Sequence, residues 1–179
     1  MVATEPRTEH NLDGYGAPPI EWSRVRETIE EGVTQGPGAG GPNRHTYWLA
    51  TTLPDGSPHV RPVGVFYTDG RFYFTAGPGT RKAKNFEHNP HVVLSVATEP
   101  FDLAIHGTAR RVTDEDGLEQ VAKVASAQGW PAEPRDGGIW AEYSAPSAGP
   151  PPWYVYEVTP EKVFAFGTAE PYGAERFEF

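Results

Sequence analysis

The sequence predicts a mainly β protein: an antiparallel β-barrel with helices inserted between its strands. Three observations lead to this fold class. Gly and Pro are frequent, with 20 and 19 among 179 residues, and they divide the chain into short segments as turns between strands do. Most of these segments are rich in aromatic and β-branched residues, which gives about eight strands. No strand–helix–strand repeat of a parallel sheet occurs, and a closed or split barrel protects the edges of antiparallel strands at this chain length.

Composition limits the classes of function. The length suits one domain, which we place at residues 20–179 after a flexible N-terminal arm at residues 1–19. The net charge of −9 argues against nucleic acid and anionic membranes as partners. The lack of cysteine excludes disulfides, thiol nucleophiles and cysteine-bound metal clusters. Residues 1–14 are polar, without the apolar stretch of a secretory signal, and no segment resembles a membrane span, so we expect a cytoplasmic protein.

The first half of the chain is predicted to form a helix followed by a three-stranded meander. Trp22, Val25, Ile29 and Val33 make one apolar helical stripe, which the glycine-rich segment 36–41 ends. That segment has the G-x-G-x-x-G spacing. It follows a helix and precedes a strand, the reverse of a dinucleotide-binding loop, so we do not assign it that role. Strands bounded by Gly-containing turns are predicted at residues 47–53, 59–67 and 71–75.

The second half alternates strands with two helices. The first helix, at residues 80–88, ends at Asn89-Pro90, and the second, at residues 114–128, has acidic residues in its first turn, as the helix dipole favours. Residues 129–152 are rich in Pro, Gly and Ala and are predicted to be irregular. The remaining segments are predicted strands at residues 91–97, 102–112, 153–158, 162–167 and 175–179.

Residues 75–85 carry the most informative pattern. A strand ends, two glycines form a turn, and a helix begins with Thr80 as its N-cap. Arg81 and Lys82 follow in the first turn, where positive charge is unfavourable to the helix dipole. A bound anion explains this charge, and phosphate suits an Arg fork, a Lys, a hydroxyl and free backbone N–H groups. The alternative is that the basic side chains form a solvated helix face.

Arg61, inside the predicted strand 59–67, is the second candidate anion ligand. Alternation places it on the face of Val63 and Val65, so its base should be half-buried and in need of an anionic partner. Pro62 cannot donate a hydrogen bond to a neighbouring strand, so this strand should lie at an edge or contain a bulge. Considered alone, Arg61 fits a structural ion pair better than a ligand contact.

Together, these residues resemble the FMN-binding split-barrel superfamily, the relatives of pyridoxamine 5′-phosphate oxidase, over residues 45–179. The resemblance rests on Arg-x-Val in a strand, Thr80-Arg81-Lys82 after an aromatic strand, and Asn89-Pro90. It implies a split barrel, a homodimer with the cofactor at its interface, and hydride transfer with a small conjugated or heterocyclic substrate. The superfamily includes actinobacterial oxidoreductases that use coenzyme F-420, and the sequence leaves FMN and F-420 both open.

The resemblance also implies a set of cofactor-binding residues. The phosphate would be bound by Arg61, Thr80, Arg81 and Lys82. The other implied contacts lie near the ring or at the adjoining strand ends, namely Pro62, Val63, Thr75, Phe166 and Arg176. No proton donor is predicted, because the cofactor supplies most of the chemistry.

Two positions depart from a true pyridoxamine 5′-phosphate oxidase. Phe66 stands where those enzymes carry a lysine, and their Arg-x-His reads Arg176-Phe177-Glu178 here. We therefore expect a different substrate. The alternatives are a non-catalytic barrel that stores or senses flavin or haem, and a barrel without any cofactor. No metal site is predicted.

Overall fold

The structure is a computed structural model that describes residues 5–33 and 45–179. The described residues contain three helices: α1 (Trp22–Glu31), α2 (Arg81–His88) and α3 (Glu115–Ala127). They also contain eleven strands: β1 (Thr8–Asn11), β2 (Tyr47–Thr52), β3 (Pro58–Val63), β4 (Val65–Thr68), β5 (Arg71–Ala76), β6 (His91–Ala97), β7 (Phe101–Val112), β8 (Glu133–Arg135), β9 (Gly138–Trp140), β10 (Tyr154–Gly167) and β11 (Ala174–Glu178). No helix in these two ranges is both long and apolar enough to span a membrane.

Nine strands form one antiparallel sheet centred on β10. One edge of β10 pairs with β7 along its length, while β5 and β11 share the other edge. The sheet continues from β7 through β6 and β2 to β3, from β11 to β1, and from β5 to β4. The pairings among the described residues do not close a ring. The mainly β, antiparallel prediction is confirmed, with an open rather than a closed barrel.

Two apolar clusters hold this sheet and its helices together. The larger one packs α1 and α2 on the inner face of the sheet, and the predicted stripe of Trp22, Val25 and Ile29 is buried there. The smaller one packs α3 against the opposite face of β5 and β10, where Tyr73 and Val155 lie. Both faces of β5 are therefore covered, which explains its nearly continuous burial.

Two strand predictions were wrong: one joined two strands that have different partners, and the other divided a single strand. The predicted strand 59–67 breaks at Gly64 into β3, which pairs with β2, and β4, which pairs with β5. Pro62 has no N–H to donate to a partner strand, and Gly64 restricts the backbone least, so interrupting the strand at this point costs the least free energy. The predicted strands 153–158 and 162–167 are one strand, β10, with a register shift between Pro160 and Lys162.

Two further strand pairs lie in segments predicted to be irregular. Within residues 129–152, β8 and β9 form a hairpin whose turn residues Asp136 and Gly137 have φ values of 52° and 72°. In the segment predicted as an arm, β1 pairs along β11. All four residues of β1 are exposed, so no alternation of apolar residues marked it. The glycine-rich segment 36–41 lies outside the described residues.

Candidate anion-binding site

The turn before α2 is closed by the residue predicted to cap the helix. The Thr80 hydroxyl donates to the carbonyl oxygen of Gly77 at 2.7 Å and accepts from the N–H of Ala83 at 3.4 Å. The N-cap prediction is confirmed. The N–H groups of Arg81 and Lys82 are in the first turn, where a helix has no acceptor of its own, so they are available to an anion.

Side chains on the buried face of α2 fix its position on the sheet. Asn85 is fully buried, and its Nδ2 donates to Oγ1 of Thr51 on β2 at 2.9 Å. Phe86 lies 4.6 Å from the ring of Tyr156 and 5.7 Å from that of Phe74. The start of α2 is thereby held close to β2 and its neighbour β3.

Arg61 lies on the edge strand β3, on the core side of the sheet. Its cross-strand partner is the buried Leu49, which fixes the face. The expected half-burial was wrong: Arg61 is exposed, because no further strand covers this side of β3. The guanidinium donates to the carbonyl oxygen of Val60 at 2.7 Å. The edge position expected from Pro62 is confirmed.

Arg61 lies within electrostatic range of the start of α2, which the Asn85–Thr51 hydrogen bond fixes against β2 beside β3. Burial lowers the pKa of Lys82, and the charge of Arg61 lowers it further. Burial also lowers the pKa of His59, with additional lowering by Arg61, Lys82 and Arg81. These four basic groups form what we call the basic cluster.

The basic cluster has no carboxylate partner in the part of the chain that the structure describes. None of the ion pairs there includes Arg61, Arg81 or Lys82. This is unusual in a protein with nine more acidic than basic residues, because carboxylates are abundant. The ion pair considered for Arg61 is therefore absent from residues 5–33 and 45–179. A phosphate group fits the charge, the donors and the free N–H groups of this cluster.

The other predicted residues near β3 and β5 occupy different surroundings. Val63 packs against the larger core cluster opposite Tyr47, and Pro62 lies on the outer sheet face opposite the exposed Trp48. Thr75 is half-buried opposite Val155, which places it on the face that carries α3. Among the described residues, no hydrogen bond, ion pair or ring contact joins Thr75 to the basic cluster.

Phe166 and Arg176 lie on other strands of the sheet than the basic cluster. Phe166 is 44% exposed on the outer sheet face and stacks on Phe164 at 6.5 Å, and Phe164 is the cross-strand partner of Arg176. Nε of Arg176 lies 3.2 Å from a carboxylate oxygen of Glu178. Five strand spacings of roughly 4.8 Å separate β3 from β11, a path of about 24 Å along the sheet. No hydrogen bond, ion pair or ring contact among the described residues joins the two groups.

The outer sheet face between these groups carries two shallow depressions. One, of about 400 Å³, is lined by Trp48, Ser95 and Asp102, and Asp102 pairs with Phe166. The other, of about 410 Å³, includes His106 in its lining. Neither is lined by the basic cluster, although the second includes Thr51, the hydrogen-bond partner of His59.

Two residues outside the predicted set of cofactor-binding residues also bear on the site. His59 lies within the basic cluster, and its Nδ1 is 3.3 Å from the Thr51 hydroxyl. Its position two residues before Arg61, on the same face of a strand, was the signal available. Phe66 is buried and stacks on Trp130 at 6.1 Å with nearly parallel rings, so it belongs to the smaller core cluster.

Comparison with known proteins gives consistent matches. The sequence model of the family described as pyridoxamine 5′-phosphate oxidase matches residues 41–167. A pyridoxine/pyridoxamine 5′-phosphate oxidase of Rubrobacter xylanophilus is 31% identical over 134 residues, 64% of this chain and 62% of that protein. One from Crocosphaera subtropica is 37% identical over 73 residues, 39% of this chain and 34% of that protein. The chain thus spans less than two thirds of the length of either relative.

Solved structures share the fold at low sequence identity. A candidate 5-nitroimidazole antibiotic resistance protein from Bacteroides thetaiotaomicron has a TM-score of 0.58 at 14% identity, over 96% of this chain and 93% of that chain. A protein related to general stress protein 26, from Clostridium acetobutylicum, has a TM-score of 0.57 at 14% identity, over 88% and 93% of the respective chains.

Proposed function

Because the chain belongs to the pyridoxamine 5′-phosphate oxidase family, we propose that it binds FMN or coenzyme F-420 through the cofactor phosphate and acts as an oxidoreductase. The observation that carries this proposal is the convergence of Arg61, Arg81 and Lys82 at the start of α2. No carboxylate in the described ranges pairs with them. Like charges that approach each other without a counter-ion destabilise a fold, and a bound phosphate removes that repulsion.

Each residue of the site has a separate part in holding the phosphate. An arginine offers a planar fork to two oxygens, whereas Lys82 offers a single charge. The Thr80 hydroxyl already donates to Gly77, so its part is to shape the turn and cap α2. When bound, the cofactor supplies hydride transfer, and the protein binds and orients it against the substrate.

The separation of the predicted residues supports a site made by two copies of the chain. The proposed phosphate-binding residues lie at β3 and α2, whereas Phe166 on β10 and Arg176 on β11 lie four and five strands away along the sheet. Apolar side chains are exposed on the outer sheet face between them: Trp48, Val60 and Phe166. A second copy covering this face would bury them and place its Phe166 and Arg176 near the first copy's cofactor. We therefore propose a homodimer.

The surroundings of Arg176 favour a substrate without a phosphate group. Its guanidinium lies beside the Glu178 carboxylate, which occupies the position of the family's histidine and also lies 3.8 Å from Nζ of Lys162. A carboxylate there would repel a phosphorylated substrate. With Phe66 buried instead of a lysine, a small uncharged conjugated molecule fits better than pyridoxamine phosphate.

The test has two stages. The purified protein is titrated with FMN and with F-420, and the cofactor bound more tightly is then reduced and mixed without oxygen with quinones, enones and nitroheterocycles. Oxidation of the cofactor that depends on one of these substrates supports an oxidoreductase. Binding without oxidation by any of them points to the non-catalytic alternative. If neither cofactor binds below the millimolar range, the proposed function is wrong.

A further inference from the structure

His59 is attached to the core by a buried chain of polar groups. It lies on the core side of β3, opposite Thr51. The Thr51 hydroxyl, which is 3% exposed, lies 3.3 Å from Nδ1 of His59 and 3.2 Å from the backbone oxygen of His59. It also accepts the hydrogen bond from Nδ2 of the fully buried Asn85. The ring is thus anchored through Nδ1, and Nε2 is the nitrogen left for another partner.

The Thr51 hydroxyl can satisfy His59 in either protonation state. Asn85 donates to the hydroxyl oxygen, so the hydroxyl hydrogen is free to turn. When Nδ1 carries no proton, the hydroxyl donates to Nδ1. When Nδ1 is protonated it donates to the hydroxyl, which then donates to the backbone oxygen of His59. Gaining a proton therefore leaves none of these buried groups without a partner.

The charges around His59 oppose that proton until an anion arrives. The charged groups that act on the ring are Arg61 on its own strand and Arg81 and Lys82 on α2, and they add to burial in lowering its pKa. No carboxylate among the described residues counteracts this lowering of the His59 pKa. A phosphate bound among the same three cations would bring up to two negative charges close to the ring and so offset most of their repulsion.

We propose that His59 is a fourth phosphate-binding residue of this site and that its ring gains a proton when the phosphate binds. This role rests on the phosphate binding proposed above and adds to it a coupling between binding and pH. Nε2–H is the donor toward the phosphate, and Thr51 and Asn85 hold the ring in place. The contribution of His59 to affinity should increase as pH falls, because the bound state holds the extra proton more tightly.

The test is calorimetric titration with FMN near pH 7 in two buffers of different ionisation enthalpy, which counts the protons taken up on binding. His59→Gln keeps a neutral amide but cannot gain a proton. His91→Gln replaces an exposed histidine on β6 and is the matched control. Riboflavin, which is FMN without its phosphate, is the second probe. Because FMN phosphate itself titrates near pH 6, the difference between variants isolates the part of His59.

The expected result is that wild type and His91→Gln take up more protons with FMN than His59→Gln, by as much as one per site. His59→Gln should weaken FMN binding about tenfold, the effect of one charge-assisted hydrogen bond, and leave riboflavin binding unchanged. Thr51→Val, which removes the acceptor for Nδ1–H, should also reduce proton uptake and serves if His59→Gln fails to fold.

Several results would overturn this role. Equal proton uptake in wild type and both variants would exclude protonation of His59. An equal loss of FMN and riboflavin affinity would show that His59 only supports the fold. These outcomes leave the proposed function intact, whereas failure of the wild type to bind FMN or F-420 would remove both.

Discussion

The turn before α2 is held against a neighbouring segment by a glycine that has no room for a side chain. A Cβ built on residue 77 would lie 2.2 Å from the carbonyl oxygen of Ala148, whereas real Cβ atoms keep about 3 Å from such atoms. Gly77→Ala must therefore push two stretches of backbone apart by about 1 Å. Gly79, two residues later in the same turn, has no atom within 4 Å of such a Cβ and does not have a positive φ.

The two substitutions should differ in their effect on stability. Forced backbone shifts of this kind cost about 1–3 kcal/mol, so Gly77→Ala should lower Tm by about 2–12 °C in a chain of this size. Gly79→Ala should be neutral or should stabilise by up to about 1 kcal/mol, because it restricts the unfolded chain. Since Gly77 also accepts the Thr80 hydrogen bond, its replacement should weaken phosphate binding as well.

Thermal and urea unfolding followed by circular dichroism measures both variants against wild type. A Tm for Gly77→Ala equal to or above that of Gly79→Ala would refute the packing of residue 148 on this turn.

Three further predictions concern the basic cluster and its supports. Lys82→Met should raise the Tm of the ligand-free protein by about 1–4 °C while weakening FMN binding, because it removes a half-buried charge repelled by its neighbours; melting curves with and without FMN measure both effects. Asn85→Ala should cost about 1–3 kcal/mol in urea unfolding, because it leaves the buried Thr51 hydroxyl without its donor. Burial lowers the pKa of His59 and of His106, so at low pH the unfolded chain binds protons that the folded chain does not. The free energy of unfolding should therefore fall as the pH drops below about 6.5. For the double variant His59→Gln/His106→Gln it should fall less steeply.

The sequence predicted best those features that a few neighbouring residues determine. The strand, turn and N-cap before α2 were predicted together, because Thr80 and the glycines act within a few residues of one another. The break at Gly64 was not, because it arises from β3 and β4 choosing different partner strands. The exposure of Arg61 likewise depends on β3 being the last strand of its path, which no local pattern encodes.

The site could be predicted only in part for the same reason. Arg61, Arg81 and Lys82 converge as the resemblance implied, but the grouping of Phe166 and Arg176 at the other side of the sheet depends on strand order. The place of His59 depends on Thr51, which lies 8 residues earlier in the sequence, and through Thr51 on Asn85, which lies 26 residues later. Long-range pairing of this kind is visible only once the sheet is formed.

The most direct test of phosphate binding at α2 is a fluorescence titration of wild type, Arg81→Ala and Lys123→Ala with FMN and with F-420 at one ionic strength. Lys123 is an exposed cation on α3, so its removal changes the net charge equally without touching the site. Arg81→Ala should raise the Kd of the preferred cofactor about tenfold or more, as loss of a charge-assisted contact does, with Lys123→Ala near wild type. Tight binding of either cofactor that is unchanged in Arg81→Ala would contradict a phosphate site at the start of α2.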